Sequence, residues 1–150
     1  MRFHSPRLVR ATCTVAAGLM LGAAPALAQD AHAAYFLFAL ASSMNLTEQS
    51  TPVCDAAAAK QAQDAPQLKV LSTHSYRLSQ SPAELQAQMD LYASDHQFTA
   101  LTSWTGSGSL NRSYADPDAA GYQYRVNLFP DAAGSVLCIG VVSDGSAPEQ

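Results

Sequence analysis

Cys54 and Cys138 offer two kinds of chemistry. In an oxidising compartment they form a disulfide, the one pairing that two cysteines allow. They stand 84 positions apart, and a bridge closing such a loop is worth about 4–5 kcal/mol in the chain-entropy model. As a free thiol, Cys54 would be a nucleophile needing His74 or His96 as its base, but no local motif of a cysteine hydrolase surrounds it. The disulfide is therefore the expectation. His32, His74 and His96 share no metal-ligand spacing and no adjacent acidic run. His74 falls on the apolar face of an expected strand, as a core or rim residue. His96 follows a helix and faces that helix's C-terminus or water.

The run Gly106-Ser107-Gly108-Ser109 lacks the lysine and the following helix of a phosphate loop. It also lacks the register and helix of a nucleophile elbow. Asp116-Pro117-Asp118 reads as a turn, because Pro117 breaks the ligand alternation of a calcium loop. No catalytic residue, metal site or cofactor is expected. What remains is the region 104–125, which gathers Trp104, Arg112, Tyr114, Tyr122, Tyr124 and Arg125. Aromatic and arginine side chains dominate protein interfaces, and loops on a rigid scaffold often carry function. Trp104, Arg112, Tyr114 and Asp116 are accordingly the expected partner-binding residues. Trp104 and the even-numbered tyrosines read equally well as core. Arg112 and Tyr114, with polar neighbours, are expected to be solvent-accessible.

The elements that must position these groups follow from capping and periodicity. Asp30 caps a helix over 31–44 that is apolar on nearly all sides through Tyr35, Phe36, Leu37, Phe38, Leu40 and Met44. Such a helix must be buried in the monomer or covered in a homodimer, and Asn45 ends it. Thr51-Pro52 starts a second helix that stops before Pro66 and carries Cys54 in its first turn. Leu68 to Leu78 alternates as a strand. Ser81-Pro82-Ala83-Glu84 is a capping box, followed by Leu85, Met89 and Tyr92 at helical spacing. Phe98 to Trp104 alternates again, and 106–120 reads as a long loop. Tyr122 to Leu128 is a half-exposed strand, 130–134 a hairpin turn, and Val136 to Val142, apolar on both faces, a central strand. The order α-α-β-α-β-β-β predicts an α+β fold: a predominantly antiparallel four-stranded sheet with helices packed on one face. The bridge would clamp the second helix onto the last strand.

Residues 1–28 have the form of an export signal, with Arg2, Arg7 and Arg10, an apolar run from Thr14 to Pro25, and Ala26-Leu27-Ala28 as the cleavage site. A single exported domain over 29–150 is expected, periplasmic or secreted, with no membrane span. Without residues 1–28 the chain keeps five basic and all twelve acidic residues, a net charge of −7. Five scattered cations are too few for a nucleic-acid face, and the chain is too short for a Rossmann or TIM-barrel enzyme. The leading expectation is an exported, non-enzymatic protein that binds another macromolecule through the 106–120 loop and its flanks, as an envelope inhibitor or immunity protein does. Its acidity suits a basic protein partner. The alternative is a small-ligand binder with an apolar pocket between helix 31–44 and the sheet. The third reading is a small hydrolase using Ser109 or Cys54.

Overall fold

A computed structural model describes residues 35–146. The expected export signal, the Asp30 cap and positions 31–34 of the first helix lie outside the described residues. Helix α1 covers 35–44, and Asn45 ends it at φ 55°, in the left-handed conformation. Helix α2 runs Pro52–Asp64, strand β1 Lys69–Leu78 and helix α3 Pro82–Asp95. Then follow β2 Thr99–Ala100, β3 Leu110–Ala115, β4 Tyr122–Asp131 and β5 Gly134–Ser143. All neighbouring strands pair antiparallel, in the order β1-β5-β4-β3-β2.

The architecture is α+β, with two corrections to the expected arrangement. The sheet has five strands rather than four, because the expected 106–120 loop contains β3. Leu110, Arg112 and Tyr114 pair opposite Leu128, Val126 and Tyr124 on the core face. A charged residue in the middle of that apolar register hides the alternation from sequence. The expected strand over 98–104 shrinks to Thr99–Ala100: Leu101 N–H still donates to Ser113 O at 2.8 Å, and from Thr102 on side chains take over the ladder. Thr102 Oγ1 accepts from Ser113 N–H at 3.0 Å, and Thr102 O from Arg112 Nε at 3.0 Å.

The second correction is that helices cover both faces of the sheet rather than one. Helices α1 and α3 pack on the face bearing Tyr124, Val126, Leu128, Leu137, Ile139 and Val141. Helix α2 lies on the opposite face, where Cys54 joins Val136 and Cys138. The reason is β5, which is apolar on both faces and therefore needs cover on both. The Cys54–Cys138 disulfide, with Cα atoms 5.4 Å apart, clamps α2 onto β5 as expected.

Local signals account for the element ends. Ser81 Oγ accepts from Glu84 N–H while Glu84 Oε2 accepts from Ser81 N–H at 2.8 Å, a closed capping box. Ser81's backbone N–H, then its hydroxyl, holds the Glu84 carboxyl below its ordinary pKa. Leu85, Met89 and Tyr92 then fall on the buried side of α3. The β4–β5 hairpin turns at Gly134, where φ is +143° and a Cβ would lie 2.2 Å from Leu78 O, so only glycine fits.

Between α1 and the sheet the space is filled. Phe36 stacks on Tyr124 with ring centroids 3.7 Å apart, and Phe98 meets both rings edge-on. Tyr92 Oη donates to Phe36 O at 3.1 Å. Helix α1 buries Phe36, Leu37 and Leu40 but leaves Tyr35 66% and Phe38 72% exposed, so of the two expected covers the monomer supplies only one side. No helix among the described residues is long and apolar enough to cross a membrane.

Candidate functional site

Helix α3 carries Asp90 one position after the buried Met89, facing the inner side of β3. Three side chains converge on its carboxylate. Trp104 Nε1–H donates to both oxygens, at 2.9 and 3.1 Å. Arg112 Nη1 donates to Oδ1 at 2.6 Å, and Tyr114 Oη donates to the same oxygen at 3.0 Å. The Arg112 guanidinium also lies 5.9 Å from the Trp104 ring centroid and 5.4 Å from that of Tyr114, within cation–π reach of both. A charged acceptor with three donors is a strong local tie.

Tyr114 is 2% exposed, so the expectation that it is accessible fails, and Arg112 keeps only 21% of its side chain exposed. Register explains this: both residues point to the core face of β3, where Asp90 answers the one charge that register cannot bury alone. Burial, then the hydrogen bond and charge of Asp90, push the Tyr114 hydroxyl well above its ordinary pKa. Asp116 stands apart from this cluster. Its Oδ2 accepts from Tyr124 Oη at 2.8 Å and its Oδ1 from Asp118 N–H at 2.9 Å, which makes 116–118 a hydrogen-bonded turn.

Asp90 is the residue that sequence reasoning missed. A signal was present: its helical neighbours at four positions either way, Gln86 and Ser94, offer no cation. A carboxylate beside a buried position with no partner on its own helix must find one across the fold.

The cluster anchors the segment 101–109 between β2 and β3. Thr105 and Asn111 exchange backbone hydrogen bonds at 3.1 and 2.9 Å, and their side chains add two more. Gly106, at φ +129°, turns the chain where a Cβ would strike Ser109 O at 1.7 Å. Above these ties Leu101, Thr102, Ser103, Thr105, Gly106, Ser107 and Gly108 are exposed. The result is a short outward loop held from beneath by Trp104 and Arg112.

Other candidates resolve into structural roles. His74 pairs through Nδ1 with Glu48 Oε1 at 2.8 Å and through Nε2 with Ser72 Oγ at 3.1 Å. Cys54 is committed to its disulfide, which removes the thiol form of the hydrolase reading. Among the described residues no group of three His, Cys, Asp or Glu is placed to hold a metal ion. The chain matches no protein-family model, and no curated protein or solved structure matches it.

Proposed function

We propose that this is an exported, non-enzymatic protein that binds another macromolecule through the 101–109 loop, in the manner of an envelope inhibitor or immunity protein. One observation carries the reading: a solvent-facing loop is tied to α3 through a single carboxylate that takes three donors. Rigid presentation lowers the entropy lost on binding. Trp104, Arg112 and Tyr114 act here as positioning residues, and the contact is made by the exposed Leu101, Ser103 and Ser107. Export is supported by the disulfide, which persists where thiols are not kept reduced. The acidic balance of the chain favours a basic partner and salt-sensitive association.

The test uses pull-down from an envelope extract at graded salt, with two variants. Ser107→Arg changes only the exposed loop and should weaken retention of the captured partner by about tenfold or more while melting as the wild type does. Asp90→Asn withdraws the charge that holds three donors. It should lower stability by about 1–2 kcal/mol, moderated because Asp90 is 40% exposed, and weaken the same capture. Unchanged capture by a folded Ser107→Arg variant would move the contact surface off this loop.

A further inference from the structure

We infer that the groove between α2 and the outer face of β3 and β4 binds a small hydrophilic oxyanion, a carboxylate or a phosphate, with Arg125 as its anchor. The inference does not rest on the loop reading, because its two donors, Gln61 on α2 and Arg125 on β4, lie outside the loop.

The groove exists because of one row of the sheet. Ser113, Arg125 and Gly140 sit side by side on β3, β4 and β5. Gly140 has no side chain, so Gln61 descends from α2 onto it, its Oε1 only 3.3 Å from where a Cβ would stand. Beside that contact the helix and sheet stay apart, leaving about 510 Å³ lined by Lys60, Gln61, Ser113, Arg125, Asn127 and Phe129, among others. Pockets for small ligands span roughly 300–1,000 Å³.

Two donors of the lining stand without acceptors. The Arg125 side chain makes no hydrogen bond or ion pair among the described residues, and its Nε is buried. Gln61 Nε2 is buried and unpaired as well. A buried donor left without a partner costs about 1–3 kcal/mol, more when charged, so two of them on one groove call for an acceptor that enters it. Burial also lowers the Arg125 pKa from its ordinary value, the direction that an incoming anion would reverse. An oxyanion matches the guanidinium fork.

Charge supports the same ligand class. Of the five cations beyond residue 28, Lys60 and Arg125 line this groove from α2 and from the outer row of β4. Lys60 pairs with the exposed Asp64 at 2.5 Å, the one acidic residue in the lining. Arg125 is thus the cation left for a ligand. Ser113 and Asn127 flank it, able to hydrogen-bond hydroxyl groups of the same molecule.

Titration of ¹⁵N-labelled protein with inorganic phosphate, glucuronate and uncharged glucose, followed by the side-chain N–H signals of Arg125 and Gln61, tests this. At least one oxyanion should give saturable shifts of both signals, and glucose none. Saturation by phosphate or by glucuronate supports the site and identifies the oxyanion. Arg125→Gln should weaken that binding about tenfold or more. Lys60→Ala, on an exposed position that leaves the fold intact, should weaken it about threefold and keeps the test decisive if the Arg125 variant does not fold. Ser107→Arg should leave it unchanged. Unsaturated, linear shifts with all three probes, equal saturation by glucose, or wild-type affinity in a folded Arg125→Gln variant would overturn the proposal.

Discussion

The two faces of the sheet are held by different physics. On the inner face α3 alone buries Leu85, Met89, Tyr92 and Ala93, and α1 adds Phe36, Leu37 and Leu40. These close on the tyrosines and aliphatics of β3, β4 and β5 to make one continuous core. On the outer face Cys54 is the only buried residue of α2, and its apolar company is Val136 and Cys138, with Val53 and Phe129 partly buried. Area burial therefore fixes the inner layer, at roughly 25 cal/mol per Å² of apolar surface. A covalent bond fixes the outer one. A helix attached at one end by a bridge can stand off the sheet along the rest of its length, and that is where the groove opens. The inner face spends its polar groups on a closed cluster at Asp90, whereas the outer face leaves Arg125 and Gln61 without acceptors.

Breaking the bridge should show the contrast most clearly. Replacing Cys54 and Cys138 by Ala should lower unfolding free energy by about 4–5 kcal/mol, the chain-entropy value for an 84-residue separation. Limited proteolysis should then cut within Pro52–Asp64 before any other element. If α2 stays as protected as in the parent protein, burial rather than the bridge holds it, and the contrast between the faces is wrong.

A cavity on the inner face sharpens the comparison from the other side. Leu85 is fully buried, so Leu85→Ala should cost about 3 kcal/mol in denaturant unfolding. The loss should appear as one cooperative transition with no early release of α2, because the deleted contacts belong to the core shared by α1, α3 and the sheet. A change of similar chemistry on the outer face, Val53→Ala, should cost much less, since Val53 is only partly buried.

Alkali should act on the inner face with a smaller effect. Burial, and then the charge of Glu48, raises the Tyr76 hydroxyl from 10.0 to about 12. The folded state keeps this proton after the unfolded chain has released it. Its contribution to stability is therefore complete below pH 10 and is lost as pH climbs towards about 12. Two pKa units correspond to about 2–3 kcal/mol. Burial raises Tyr92, Tyr114 and Tyr124 in the same direction. Phenolate absorbance and circular dichroism followed together should change in step. Early ionisation of these tyrosines in a folded protein would show that the inner core is open to water.

Much of this fold is legible in short stretches of sequence, and the exceptions share a cause. Ser81-Pro82-Ala83-Glu84 states a helix start because the donors and acceptors it satisfies lie within one turn. The even-numbered residues from Tyr122 to Leu128 state a strand because its core face is uninterrupted. Strand β3 was not legible: Arg112 stands in the apolar register, and the carboxylate that lets it stand there comes from a helix 22 positions earlier. The same distance concealed the candidate site. Trp104, Arg112 and Tyr114 can be chosen from sequence by residue type, but their convergence on Asp90, and the separation of Asp116, depend on where α3 crosses β3.

The sequence by itself determined the capping of α3, the stop of α2 before Pro66, the turn at Gly134 and, by count, the pairing of Cys54 with Cys138. Each is settled by sterics or hydrogen bonds a few residues long, or by there being no other thiol in the chain beyond residue 28. Only the tertiary structure decided that α2 lies opposite α1 and α3, that Tyr114 is buried, and that Arg112 is answered while Arg125 is not. A strand's alternation says that two faces differ, but not which helix covers which face. The burial of a charge is decided by whether a distant opposite charge arrives beside it.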